Sequence, residues 1–398
     1  MAVGFSLAAY LCALMQTIKE KYDAAIIGGG LAGLAASIQL AKHGYSVVLF
    51  EKEKYPYHKV CGEYISNESW GFLESLGVPL KQLQLPQIDT LQLSAPNGKL
   101  LEARLPLGGF GISRYTIDHL MAGIARDAGV DVWEETKVND VQFTNLFTLR
   151  ITSKHTAATS VTATVCCGSF GKRSNLDVKW KRPFINKRDP RINNYVGVKY
   201  HVKGKWPQHL IGLHNFENGY CGLSKIEGDK YCLCYLTTAD NLKKYKGSID
   251  ALNKEVLYKN PVLHSIFNEA TFLPEFPVTI AQISFSKKSS VQDGVLLLGD
   301  AAGMITPLCG NGMSMALHSS KIASGFITQF LNGKISRGEM EKKYATEWSK
   351  EFKNRLATGR LLQGFFGSKT LSNLFVQAFS LFPFLARFVI RQTHGKPF

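Results

Sequence analysis

No pair among the eight cysteines has the spacing of a zinc site or of a dithiol redox centre. Cys166 and Cys167 are adjacent, Cys232 and Cys234 are too close for a standard metal pair, and the rest are scattered. This usage suits mostly buried thiols in a reducing compartment. The ten histidines form neither an HxH nor an HExxH pattern, so the common zinc-site signatures are missing too. There is no low-complexity tract and no internal repeat. Long apolar runs are also scarce. Val3 to Met15 is apolar but too short to span a bilayer, and no basic residue precedes it. Acidic residues are the scarcer charge, 31 against 47 Lys and Arg, for a net +16. The surplus is dense from Lys172 to Arg191. Such a surface suits an anionic membrane, an acidic carrier protein or a phosphorylated substrate, or is simply a solvated basic face. Nucleic acid is set aside, because no nucleic-acid module accompanies the charge.

What is present centres on residues 22–51, YDAAIIGGGLAGLAASIQLAKHGYSVVLFE. Ala24 to Ile27 has the length of a buried parallel strand. Gly28, Gly30 and Gly33 then stand in G-x-G-x-x-G register, with Leu31 and Ala32 inside the loop. Leu34 to His43 reads as a helix stopped by Gly44, and Ser46 to Phe50 as a second strand ending at Glu51. Gly28 permits the tight turn, Gly30 lets backbone approach a pyrophosphate, and Gly33 lets helix pack on strand. The helix N-terminus supplies N–H groups to phosphates, and Glu51 can accept from a ribose. A glycine triplet alone says little; strand, loop, helix and acid in this order indicate a dinucleotide site. No second fingerprint of this kind exists, so a permanent nicotinamide domain is not expected.

Further along, Asn67 to Leu76 reads as a short helix, 84–113 as strands with a Pro96-Asn97-Gly98 turn, and Tyr115 to Ala128 as a helix opened by Arg114. Asp118 on that helix is expected to cap or face solvent. Strands follow to Cys167, before the sharp loop Gly168 to Gly171. Tyr195–Val202, Leu210–Asn215, Gly219–Ile226 and Lys230–Leu236 read as antiparallel strands. Gly294 to Leu298 is a buried strand broken by Gly299-Asp300, and Gly310-Asn311-Gly312 precedes a helix from Met313 to Leu331. The expected domains are a discontinuous cofactor domain (22–84, 112–185, 286–335), a substrate domain (85–111, 186–285) and C-terminal helices (336–398). Residues 1–14 are expected to be a non-native extension from a misplaced start codon, with Met15 as the native start.

Three separated motifs resemble those of the flavin monooxygenase-like superfamily, which includes p-hydroxybenzoate hydroxylase, flavin halogenases and geranylgeranyl reductases. They are the glycine fingerprint with Glu51, the segment Val165 to Ser174 with Cys167 in place of the usual Asp, and GDAAGMITPLCGNGMSMAL from Gly299 to Leu317. Lys59-Val60-Cys61-Gly62 is similar to the geranylgeranyl reductase branch. The resemblance implies an α/β fold: a Rossmann-like FAD-binding domain, discontinuous, with an inserted antiparallel β-sheet substrate domain and a helical C-terminal tail. It implies FAD with its pyrophosphate held by Gly28, Gly30 and Gly33 and its adenosine ribose by Glu51, and with Leu31, Ala32 and Lys52 also binding the cofactor. Cys61 and Gly62 would lie along the ribityl and ring region, Arg114 and Gly299 would contact the cofactor, Asp300 would hydrogen-bond the ribityl chain, and Gly310, Asn311 and Gly312, before Met313, would lie at the ring's pyrimidine edge. The helix N-terminus at Gly312 would stabilise negative charge on reduced flavin.

The halogenase W-x-W-x-I-P motif is missing, and the strand Gly219 to Ser224 lacks the Trp and Pro of the reductases' substrate segment. The resemblance therefore implies an FAD-dependent oxidoreductase that uses NAD(P)H to reduce, or in reverse to form, a C=C bond of an apolar lipid-, isoprenoid- or polyketide-like substrate. The alternatives are an aromatic or polyketide monooxygenase and a non-enzymatic redox sensor. Cys61 and Tyr220 are the candidate catalytic side chains, with Cys61 read equally as a small residue packed by the ring. No metal is expected. His58 is the one histidine singled out. The partners expected are a small apolar or amphipathic substrate and an acidic carrier protein or membrane surface, in a cytoplasmic or membrane-peripheral protein. The Phe-rich tail, Leu371 to Arg391, is read as packed helices or as an element admitting a lipid-like substrate.

Overall fold

The computed structural model describes residues 21–154, 159–186, 193–307, 310–366 and 368–381, together with Lys19, Phe384, Val389, Ile390, Gln392 and 395–398. The expected extension over 1–14 lies outside the described residues, as does Cys309.

Apolar strands too short to stand alone stack into a parallel sheet. Lys21–Ile27 pairs in parallel with Val47–Phe50 on one side and Ser160–Gly168 on the other. Asp131–Trp133 and Val295–Leu297 extend the sheet outward, again in parallel. The register sets Ile27 opposite both Phe50 and Gly168, and Gly168 opposite Leu297. The three motifs, distant in sequence, therefore leave the sheet at one carboxyl end, where ligands of open α/β sheets bind. Helix α1 (Leu31–Lys42) starts there and is buried almost all round between the sheet and its neighbours. Helix α2 (Arg114–Asp127) and helix α3 (Gly312–Leu331) pack on it.

The second sheet runs Thr271–Phe272, Asn193–Lys203, Tyr231–Thr238, Gly219–Lys225, Leu210–Phe216, Gln87–Ser94, Leu100–Gly111 and Tyr64–Ser66, with Val278–Ser284 beside Asn193–Lys203. It is antiparallel except where Leu210–Phe216 meets Gln87–Ser94 in parallel. Tyr64–Ser66, inside the segment expected to belong wholly to the cofactor domain, pairs with Leu100–Gly111 in this sheet. Alternation divides its faces. Val196, Val198, Tyr200, Cys221, Leu223 and Leu233 pack against short helices between 249 and 269. Tyr195, Leu213, Tyr220 and Leu236 belong to a separate core on the other face, which turns to the cofactor domain.

The tail is helical. Helix α4 (Arg337–Phe365) opens with a capping box, Ser336 and Glu339 bonding each other's backbone N–H. Its Met340, Tyr344, Trp348, Phe352 and Leu356 are buried at helical spacing. Helix α5 (Lys369–Leu381) follows. No helix among the described residues is long and apolar enough to cross a membrane.

Candidate functional site

The glycine loop is shaped by contacts that leave no room for side chains. A Cβ on Gly28 would lie 2.6 Å from the Ser169 carbonyl, and one on Gly33 2.1 Å from the Gly28 carbonyl. Gly28 also has φ +103°, in the left-handed region that favours glycine. Gly30 differs: a Cβ there would meet only Arg114 Nη2 at 3.4 Å and Lys59 Nζ at 3.9 Å. Two cations thus overlook the open side of the loop, which fits a pyrophosphate. Glu51, buried at the end of its strand, accepts from the Gly29 N–H at 2.9 Å.

Arg114 and Lys59 are aimed by Asp118. Its carboxylate takes the Arg114 Nε and Nη2 at 2.8 and 2.7 Å and Lys59 Nζ at 2.9 Å. Asp118 is therefore buried, not solvent-facing as expected from sequence. Burial alone would raise its pKa, but Arg114 and then Lys59 hold it below the usual range. Lys52 instead stands at the surface, 3.5 Å from Glu53, and Lys59 is the lysine that sequence reasoning missed.

The Lys59–Gly62 loop is held from behind. Lys199 Nζ donates to the Lys59 carbonyl at 3.1 Å and Lys172 Nζ to that of Val60 at 3.1 Å. Cys232 Sγ–H donates to the Cys61 carbonyl at 3.2 Å and Ser224 Oγ–H to that of Gly62 at 3.0 Å. Four consecutive carbonyls are thus taken by four side chains, three from the second sheet. Glu63 closes the clamp at φ +58°. Its carboxylate accepts from Lys199 Nζ at 2.5 Å, the Arg114 N–H at 2.8 Å and, at 2.6 Å, His201 Nε2. Burial pushes the Glu63 pKa up, yet Lys199 and His201 pull it down to about 2. Glu63, His201 and Cys232 could in principle ligate an ion. The ammonium of Lys199 already occupies the same carboxylate, so this cluster is an ion-pair network. His58, singled out from sequence, lies in a ring cluster with Tyr115, His201 and Phe276. Burial, Lys199 and His201 lower its pKa to about 4.

Between loop and sheet lies a cleft, partly open to solvent, with about 1290 Å³ of space free of protein atoms. Gly30, Leu31, Ala32, Cys61, Gly62, Arg114, Gly299, Asp300, Gly310, Gly312 and Met313 line it, so the structure brings these sequence-derived residues together. Asn311 is buried beside them, and α3 begins at Gly312 with its N-terminus toward the cleft. Tyr220, Gly222, Ser224 and Cys234 form the opposite wall. Burial lifts the Cys234 thiol to about 12. A second cavity, also partly open to solvent and with about 850 Å³ free of protein atoms, adjoins, sharing Tyr64, Ile211, Leu213, Pro307 and Gly310. Its walls are Leu91, Leu93, Leu101 and Leu105 of the sheet, and Leu362, Phe366, Phe375 and Phe379 of the tail.

Comparison with known proteins then places the fold. A family model described as an NAD(P)-binding Rossmann-like domain matches residues 26–69, and one described as squalene epoxidase matches residues 232–355. The chain is similar to a flavin-dependent brominase of known structure, at TM-score 0.76 and 20% identity over 94% of this chain and 93% of that one. It has the fold of the FAD-dependent oxidoreductases. A geranylgeranyl bacteriochlorophyll reductase-like protein from Thermoplasma acidophilum superposes at TM-score 0.74, with 19% identity over 91% of this chain and 92% of that one. Among curated proteins, conditioned medium factor receptor 1 of Dictyostelium discoideum is 24% identical over 83% of this chain and 68% of its own. Digeranylgeranylglycerophospholipid reductase of Methanococcus vannielii is 24% identical over 85% of this chain and 84% of its own. The resemblance drawn from the three motifs is borne out, and with it the α/β fold of an FAD-dependent oxidoreductase.

Proposed function

We propose that this oxidoreductase adds hydrogen across a C=C bond of an isoprenoid-type lipid chain. The observation that carries the reading is the hydrocarbon-walled cavity that adjoins the cleft and shares five lining residues with it, a shape and polarity suited to an apolar chain. The name of the Methanococcus vannielii relative supports the same substrate class.

The glycine loop, Lys59 and Arg114 fit the pyrophosphate of FAD, and the α3 N-terminus fits the ring. Bound there and reduced by NAD(P)H, FAD supplies a hydride. The chain does the rest. The clamped loop sets one wall, Tyr220 and Gly222 set the other, and apolar walls keep water from the transferred charge. The matching proton would come from one of the O–H or S–H groups lining the cleft, among which Cys61 Sγ and Tyr220 Oη are the sequence-derived candidates. The test mixes anaerobically reduced protein with a geranylgeranyl lipid in detergent. Oxidised-flavin absorbance should return with a product heavier by two hydrogens per bond. A flavin that stays reduced across a panel of isoprenoid lipids overturns the reading.

A second reading, oxygen insertion into an apolar chain, is favoured by the squalene epoxidase match over residues 232–355. Oxygen uptake with isotopic oxygen in the product would select it.

A further inference from the structure

Helix α5 is apolar on the side the described chain covers and also carries leucines on its outer side, beside the exposed Thr370 and Gln377. Val376 and Phe379 are buried, and Phe375 and Phe379 line the apolar cavity. On the opposite side Leu371, Leu374 and Leu381 recur at i, i+3 and i+10, and stand 43%, 58% and 66% exposed. Leu361, near the end of α4, is 65% exposed. One exposed leucine needs no explanation. Three on one side of a short helix, with a fourth on the helix before it, are more apolar surface than water favours.

The charge of the segment that carries these leucines says what covers them. From Phe352 to the C-terminus the sequence holds seven Lys and Arg and no Asp or Glu; Arg355 among them is buried against Glu68, while Lys353 and Lys396 are exposed. A second copy of the chain would bring the same cations against themselves, because a two-fold interface repeats one patch. An acidic protein would satisfy the cations and leave the leucines facing its carboxylates. An anionic bilayer satisfies both, with headgroups for the cations and the acyl boundary for the leucines. The 13-residue helix is about 20 Å long, too short to span and suited to lying in the plane.

We propose that α5 and the end of α4 dock the protein onto an anionic lipid surface, with Leu361, Leu371, Leu374 and Leu381 entering the acyl boundary. The same helix then has bilayer on one side and the apolar cavity on the other. A lipid substrate reaches the cleft without crossing water; this last step alone rests on the reading given under Proposed function.

The test is flotation of the full-length flavoprotein with vesicles of phosphatidylcholine, with and without phosphatidylglycerol, at low and high salt. The wild type should float with the anionic vesicles, less with neutral ones and less at high salt. The double variant Leu374→Ser/Leu381→Ser should lose partitioning by about fiftyfold, roughly sevenfold per leucine. Its flavin content and unfolding midpoint should match the wild type, because both side chains stand mostly in water. Protein that stays with the soluble fraction, or a double variant that floats as well as the wild type, overturns the proposal. Dimerisation lost in the double variant without flotation would give the face to a second copy instead, and binding to an acidic protein alone would give it to that partner. The reduction assay runs in detergent, where docking plays no part, so the two proposals fail separately.

Discussion

Glu63→Gln is the most informative single change, because glutamine keeps the shape of the side chain and removes only its charge. The new amide could still accept from Lys199 and from the Arg114 N–H, and offer its own N–H to His201. What disappears is the counter-charge for an ammonium with no exposed surface. Removing one partner of a buried pair costs about 3–5 kcal/mol. The titration of Glu63 gives a similar figure. A carboxyl moved from 4.5 to about 2 contributes about 3 kcal/mol at neutral pH. The folded pKa is the lower one, so this contribution is complete above pH 4.5 and lost as pH falls toward 2. Denaturant unfolding of wild type and variant should therefore differ by about 3 kcal/mol at pH 7, and the gap should close between pH 4.5 and pH 2. FAD affinity should fall as well, because Lys199 joins Glu63 to the Lys59 carbonyl. Equal stability at pH 7 together with equal FAD affinity would refute the clamp.

Two further substitutions separate the walls of the cleft. Gly62 lines it, and a Cβ there would meet no protein atom within 4 Å; Gly62→Ala should leave the apoprotein's unfolding midpoint unchanged and weaken FAD binding about tenfold or more, and unchanged binding would move the ring away from this loop. On the other wall a Cβ on Gly222 would make only ordinary contacts, the nearest at 3.6 Å; Gly222→Leu should keep the flavin-to-protein ratio and lower turnover, and normal turnover would place the substrate elsewhere.

The glycine fingerprint was legible because its parts are consecutive and each residue type has one geometric job. The alignment of three motifs at one sheet end was legible only through resemblance, since no local signal reveals which strands pair. The clamp was not legible. Glu63 lies 138 residues from His201, and Cys61 171 residues from Cys232. Moreover Lys199 and His201 alternate with Val198 and Tyr200, which reads as a strand with its polar side in water. Here the apolar side meets helices and the polar side meets the cofactor domain, so both are buried. One signal was available: Asp118 stands four residues after Arg114 on a helix, the spacing of an ion pair.

The same reasoning explains why the two walls are built so differently. A ring that must be held in one place calls for a wall that cannot shift, and the Lys59–Gly62 loop gains that from side chains behind it rather than from secondary structure. Under the proposed function a substrate chain requires shape without fixed polar partners, which leucines on strands and phenylalanines from a separate helix would supply. The first task binds distant residues into one charged network, where a single loss is costly. The second spreads over many apolar side chains, each replaceable by another of similar volume. Substrate preference should therefore shift through the tail and the strands Gln87–Ser94 and Leu100–Gly111, while the cofactor clamp tolerates little change.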